Sequence, residues 1–269
     1  MVRATWFRQR ATKPYESVAP RGYPFVLRHT VPVTTALITG GSRGIGAATA
    51  VRLAGDGVDV AINYRDKAAR AEKVADAVRG LGRRAITVQA DLTDSKAVDA
   101  MVAAVIDELG GLDIVILNAS GGLERDVPAD YALRLNRDAQ VRLADLAADR
   151  MTPGGRIVFV TSHEAHFLGA QPTLPEYEPV AASKHAGEQA LIERRPTYAE
   201  RGIRLVVVSG DLIDGTITAK MLDRVRPGLI KDRRQQAGYL PTVEDFAGEV
   251  AMAALADDPA EIIFVGETR

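Results

Sequence analysis

The sequence predicts a single α/β domain built as a doubly wound Rossmann fold, with a seven-stranded parallel sheet flanked by helices. Three observations predict it. Seven short apolar runs rich in β-branched residues recur from Thr34 onward. Longer segments with helical patterning separate them, which is the signature of parallel strands covered on both faces. A glycine-rich turn follows the first run directly, where such a fold binds phosphates.

In chain order, the first strand is expected over 34-TTALIT-39, followed by the turn 39-TGGSRGIG-46 and a helix near 44–56. The second strand is 58-VDVAIN-63, with a helix near 66–80, and the third is 85-AITVQA-90, with a helix near 94–110. The fourth, 113-DIVILN-118, leads to a helix near 129–151, and the fifth, 156-RIVFVT-161, to a helix near 179–201. In 176-EYEPVAASKHAGEQA-190, Glu176 and Glu178 suit the positive end of that last helix, and Pro179 suits its first position. Pro196 should kink or end it locally. The sixth strand, 203-IRLVVV-208, a helix near 242–257 and the seventh strand, 261-EIIFVG-266, complete the series. Two connections are long, from His163 to Glu178 and from Gly210 to about Tyr239. Both leave the C-terminal ends of strands, where α/β sheets bind ligands, so they are candidate walls or lids.

Composition bounds the function. The 269 residues are 46% hydrophobic and 26% charged, enough for a sizeable core. A formal net charge of −1 makes no electrostatic case for nucleic acid or an anionic membrane. The absence of cysteine excludes disulfides and thiolate chemistry and is compatible with a reducing compartment, so a cytoplasmic protein is expected. No apolar run reaches the ~20 residues of a membrane span, and no apolar core follows the early arginines as in a secretory signal. Residues 1–33 stand apart as a basic, aromatic-containing N-terminal extension, with Arg3, Arg8, Arg10, Lys13, Arg21 and Arg28 against Glu16 alone. Its prolines and basic residues favour a tail without regular structure over an arm that packs Trp6, Phe7 and Tyr15 on the body or on a neighbouring subunit.

In the glycine turn, Gly40, Gly44 and Gly46 let the backbone bend tightly, approach a pyrophosphate and pack helix on strand. The helix start offers free N–H groups and a positive dipole. The spacing Thr-Gly-x-x-x-Gly-x-Gly resembles the short-chain dehydrogenase/reductase family, and the resemblance covers about residues 34–269. Further marks fall in order. Asp91 and Leu92 resemble the pair at the adenine ring. In 117-LNAS-120, Asn118, Ala119 and Ser120 resemble the family's Asn-Asn-Ala-Gly, with Leu117 and Ser120 as departures. Asn136, Ser162 and Lys184 stand where the family has its active-site asparagine, serine and lysine. Gly210 resembles the glycine of the family's Pro-Gly, with Ser209 replacing proline. The resemblance implies a cofactor site including Ser42, Arg43, Ile45 and Lys184. It also implies a small-molecule carbonyl or alcohol substrate, and a homodimer or homotetramer formed through the 129–151 and 179–201 helices.

The end of the second strand decides the form of the cofactor. An acid there would hold the ribose hydroxyls of NAD and repel the 2′-phosphate of NADP. In 62-INYRD-66, Asn63 and Tyr64 are uncharged and Arg65 follows, and Arg43 lies within the glycine turn. Two guanidinium groups favour a phosphate, so NADP(H) is expected over NAD(H).

Hydride transfer to a carbonyl needs a donor for the developing alkoxide and an acid for its proton. In the family, a serine bonds the carbonyl, a tyrosine gives the proton and a lysine one turn later holds the nicotinamide ribose. Here Val180 stands at the tyrosine's position. Three outcomes are open: Tyr177, three residues earlier, supplies the hydroxyl; His163 or His166 in 162-SHEAH-166 acts as the acid; or nothing does, and the protein binds nucleotide with little turnover. The two histidines do not make a zinc motif, so no metal is expected. The segment 211–239 resembles the family's substrate lid, with Thr216, or else Thr218, at the nicotinamide. Its basic residues Arg224, Arg226, Lys231, Arg233 and Arg234 fit a solvated face better than an acidic substrate.

Overall fold

The structure is a computed structural model that describes residues 34–124 and 127–267. The extension over 1–33 lies outside the described residues. Seven strands form one sheet: β1 (Thr35–Ile38), β2 (Asp59–Tyr64), β3 (Ala85–Gln89), β4 (Ile114–Leu117), β5 (Arg156–Ser162), β6 (Arg204–Gly210) and β7 (Ile262–Val265). All neighbours are parallel, in the order β3-β2-β1-β4-β5-β6-β7. The chain winds outward from β1 to β3, then returns to lay β4 on the other side of β1. Helices leaving β1 and β4 therefore diverge to opposite faces and open a crevice at the strand ends.

The apolar runs are strands because both faces of the sheet are covered. One layer packs α3 (Ser95–Leu109), α5 (Gln140–Ala148) and α7 (Glu178–Glu200) on the sheet through Met101, Leu143 and Leu191. The other packs α1 (Gly44–Gly55), α2 (Ala68–Gly80) and α10 (Val243–Leu255) through Leu53, Val78 and Phe246. Burying each such side chain contributes roughly 1.5–3 kcal/mol. Phe246 also explains the glycine that ends β6: a Cβ on Gly210 would lie 2.3 Å from the ring. Local chemistry sets the helix ends. Asp94 accepts from the N–H groups of Lys96 and Ala97 to start α3, and Gly110, at φ 88°, ends it. Thr242 and Asp245 cap α10 reciprocally. Asp59 is buried at the start of β2, which by itself would raise its pKa. Hydrogen bonds from Arg84 and Arg83 outweigh that and hold it below the ordinary carboxylate value.

Three local expectations change. The helix near 129–151 is broken into a short α4 (Tyr131–Leu133), a π-helical turn over Arg134–Ala139 and α5. The reason is close packing: α7 crosses the π turn at Gly187, where a Cβ would lie 2.2 Å from the Asn136 carbonyl oxygen. Pro196 does not end α7, which continues to Glu200. Leu191 and Tyr198, both buried, carry the helix past the missing N–H, and the Tyr198 hydroxyl donates to Asp145 at 2.7 Å. Pro179 sits at the second helical position, with Tyr177 as the N-cap. The two long connections are not structureless: one holds α6 (His163–His166), the other α8 (Ile217–Val225) and α9 (Leu229–Ala237).

Candidate active site

The crevice predicted by the strand order is a cleft of about 650 Å³ running from the ends of β1 and β2 to β5 and α7. At one end, Gly40 (φ 61°) and Gly44 (φ 55°) turn the chain from β1 into α1. Gly46 does not line the cleft. Its place is packing, since a Cβ there would lie 2.6 Å from Asn118 Nδ2 and 2.8 Å from the Gly40 carbonyl oxygen. Asn118 in turn donates from Nδ2 to the Thr39 carbonyl at 2.9 Å and ties the β1 and β4 loops together. No side chain caps α1, so its first N–H groups face the cleft without a side-chain partner.

Asn63, Arg65, Asp91 and Leu92 line the adjoining wall, as do Ser42, Arg43 and Ile45. Asn63 is buried and fully used: it accepts from Gly40 N–H and donates to the Ala90 carbonyl at 3.1 Å. It therefore shapes the wall. Arg65 donates to Asp66 at 2.8 Å and also bonds the Tyr131 hydroxyl, and it stays half-exposed over the cleft. Two cations missed in the sequence, Lys67 and Arg70, join Arg43 and Arg65 at this corner. The run 65-RDKAAR-70 held the signal, because a helix that starts at Ala68 keeps its preceding residues and its first turn at one corner.

At the far end, Ser162 closes β5 and caps α6, accepting from Ala165 N–H. The Tyr177 hydroxyl lies 3.4 Å from Ser162 Oγ. That exceeds the ~2.8 Å of a normal O–H···O bond, so both hydroxyls can donate to one oxygen held between them. Tyr177 is buried, and loss of water raises its pKa above the ordinary tyrosine value, with Ser162 opposing and Glu164 adding to the rise. Lys184 is buried and donates from Nζ to the Val160 carbonyl at 3.0 Å. Burial pulls its pKa down to about 8, with Glu188 opposing. Val180 lies between them on α7 and also lines the cleft. Leu123, Leu212, Ile217 and Met221 extend an apolar wall from this point, a feature the sequence reading missed.

Other expected site residues are placed differently. Asn136 is buried and absent from the cleft wall. Its amide donates to the Gly121 carbonyl and to Ser183 Oγ, bracing the loop after β4 against α7. His163 and His166 do not line the cleft. His163 bonds Ser209 at 2.8 Å, and burial lowers its pKa to about 4. His166 meets the buried Glu188 carboxylate at 2.5 Å. Both rings pack on Phe167 and Phe264 because α6 directs them toward the β6–β7 side. Thr216 lines the cleft and caps α8, and Thr218 lines it too. Among the lid's basic residues, Arg233 is buried on Asp211 and Arg234 is paired with Asp214, while Arg224, Arg226 and Lys231 are exposed. No group of three or more potential metal ligands occurs among the described residues.

A family model described as short chain dehydrogenase matches residues 34–226. The chain belongs to the short-chain dehydrogenase family. Members are oxidoreductases that bind nicotinamide cofactors, and this chain is similar to several. It is 38% identical over 223 residues to versicolorin reductase stcU of Emericella nidulans, covering 80% of this chain and 76% of that one. It is 37% identical to hydroxynaphthalene reductase arp2 of Aspergillus fumigatus over 161 residues, 57% of this chain and just over half (56%) of that relative. Among solved structures, a short-chain dehydrogenase from Burkholderia cenocepacia in complex with NADP superposes with a TM-score of 0.72 at 32% identity. That match covers 87% of this chain and 96% of the other.

The residues present fit such a cofactor. The start of α1, whose N–H groups no side chain caps, suits a pyrophosphate, and the glycines leave no Cβ to block it. A cleft of this size lies within the range of small-molecule sites.

Proposed function

We propose that this chain is an NADP(H)-dependent oxidoreductase that transfers hydride between nicotinamide and a carbonyl or alcohol substrate, with Tyr177 as a non-standard proton donor. One observation carries the reading: the Tyr177 hydroxyl stands 3.4 Å from Ser162 Oγ, in the same cleft as Lys184. The cofactor supplies the hydride. Ser162 and Tyr177 hydrogen-bond the substrate oxygen, and Tyr177 gives it a proton as charge develops there. Lys184 binds the ribose hydroxyls. Arg43 and Arg65, aided by Lys67 and Arg70, meet the 2′-phosphate. The apolar wall at Leu123, Leu212 and Met221 suits the hydrophobic body of a carbonyl compound. Association into a homodimer or homotetramer through α5 and α7 belongs to the same proposal, and light scattering of the purified protein tests it.

The decisive experiment is Tyr177→Phe. Turnover should fall by ~10²–10⁴, the usual worth of a general acid, while NADPH affinity stays within about twofold. An unchanged rate removes Tyr177 from the mechanism. A second reading, a catalytically weak NADP(H)-binding protein acting as sensor or partner subunit, draws on Val180, which puts an apolar side chain one turn before Lys184. It predicts a silent wild type in which Val180→Tyr restores reduction of simple ketones.

A further inference from the structure

The cleft holds a second tyrosine that the proposed chemistry does not use. Tyr131, the first residue of α4, lines the cleft, and its hydroxyl accepts a hydrogen bond from Arg65 Nη1. Arg65 follows β2 and α4 follows β4, and those two strands flank β1 in the sheet. The contact therefore joins the two sides of the crevice, on either side of the strand that carries the glycine turn.

Both partners are fixed from behind. The Tyr131 ring is buried in the same apolar cluster as Leu92 and Leu135. Gly121 makes room for it, since a Cβ there would lie 3.0 Å from Tyr131 Cε1. The Tyr131 N–H donates to the Pro128 carbonyl at 2.9 Å. On the other side, Gln89 at the end of β3 donates from Nε2 to the Arg65 carbonyl at 2.8 Å, and Asp66 accepts from Arg65 Nε at 2.8 Å. A guanidinium has more N–H groups than these two contacts use. The rest have no hydrogen-bond partner among the described residues.

Tyr131 and Asp66 differ in what they do to the charge. Burial raises the Tyr131 pKa above the ordinary tyrosine value, with Arg65 opposing and Glu124 and Asp91 adding to the rise. Near neutral pH it is therefore an uncharged phenol. An uncharged acceptor orients a guanidinium without cancelling its charge. The Asp66 pair is solvent-exposed, and such pairs are weak.

We propose that Tyr131 is a positioning residue for cofactor specificity: its hydroxyl holds the Arg65 guanidinium over the cleft, so that the remaining N–H groups meet the 2′-phosphate of NADP(H). The role rests on Arg65 being a ligand of that phosphate, as proposed above. An unrestrained arginine loses much side-chain freedom when it binds an anion. One already held by Tyr131 loses less, and the difference favours only the nucleotide that carries the phosphate.

Calorimetric titration with NADPH and with NADH tests this on four proteins: the wild type, Tyr131→Phe, Arg65→Ala and the double variant. Phenylalanine keeps the ring in its cluster and removes only the hydroxyl. Tyr131→Phe should weaken NADPH about three- to tenfold, the size of ordering one long side chain, and leave NADH within about twofold. In the Arg65→Ala background, Tyr131→Phe should change neither affinity by more than about twofold, because the hydroxyl then has nothing to hold. Unchanged NADPH affinity in Tyr131→Phe would overturn the proposal. So would an equal loss for both nucleotides, the mark of a merely structural residue, or a loss that persists without Arg65. Each of these outcomes leaves Arg65 as the phosphate ligand. An Arg65→Ala protein that keeps the wild-type ratio of NADPH to NADH affinity removes Arg65 from that role, and the role of Tyr131 falls with it.

Discussion

Between β1 and β4 the cleft is made mostly of backbone. Between β5 and α7 it is made of the ends of a few side chains. At the first end, Gly40, Gly44 and Gly46 matter for the atoms they lack, and Asn118 and Asn63 for the loops they tie together. Every one of these stands at the spacing its neighbours demand, because a shift of one residue would put a Cβ into the turn. At the second end, side chains converge: the hydroxyl of Tyr177, the N-cap of α7, lies beside Ser162, while Val180 stands one turn before Lys184. A backbone cradle constrains sequence position tightly. A side-chain end constrains only where an atom finishes, so it can be supplied from elsewhere on the chain.

The largest effect that would test this contrast belongs to the cradle. Gly46→Val puts side-chain atoms where a Cβ alone already lies 2.6 Å from Asn118 Nδ2. Nucleotide affinity should fall by more than about 100-fold, which is the ~2.7 kcal/mol of a disrupted anion site, and calorimetry with NADPH reads it. Near-normal binding would break the claim that the cradle tolerates no shift.

Next is the basic corner. The double variant Arg43→Ala, Arg65→Ala should weaken NADPH by about ten- to a hundredfold, from the ~1.5–3 kcal/mol of charged hydrogen bonds, and leave NADH within about threefold. Equal losses for both would show that the corner does not read the phosphate.

A smaller effect sharpens the other end. Lys184 has a pKa lowered to about 8, so it carries its charge below that pH and loses it above. NADPH affinity should therefore decline a fewfold as pH rises through about 8, and Lys184→Met should abolish that pH dependence. A flat profile in the wild type would remove the ribose contact made by a charged amine.

The smallest effect concerns the histidines outside the cleft. His163→Gln should leave the reduction rate within about threefold, the size of a remote packing change rather than of a lost acid. Its ring is held on Ser209 and already neutral, with a pKa of about 4. A loss as large as that of Tyr177→Phe would reverse the assignment of the donor.

Much of the fold is legible in the sequence because its signals are local. Continuous apolar strands alternate with helices, and parallel connection of such units leaves few other topologies, so all seven runs appear as strands in one parallel sheet. The expectation failed where long-range packing overrode a local rule. Pro196 reads as a kink or an end, and α7 does not end there, with Leu191 and Tyr198 buried on either side of it. The segment near 129–151 reads as one helix, yet Gly187 of α7 presses on Asn136 and the π turn accommodates it. The site divides in the same way. Gly40 and Arg43 stand in the glycine turn and Asp91 and Lys184 are positions that the family resemblance marks, and each lines the cleft. Asn136 was marked by resemblance alone, and only the fold shows its amide bonded to Gly121 and Ser183 rather than lining the cleft.

The sequence by itself determined the sheet, the phosphate turn and the absence of a tyrosine one turn before Lys184. Those follow from residue types at fixed spacing, which periodicity and steric exclusion translate directly into structure. Only the tertiary structure separated Tyr177, which lines the cleft, from His163 and His166, which do not. Their spacings along the chain are equally compatible with the cleft. What separates them is the turn of α6 at Ser162, which sends both imidazoles toward Phe264, while the Tyr177 hydroxyl lies 3.4 Å from Ser162 Oγ.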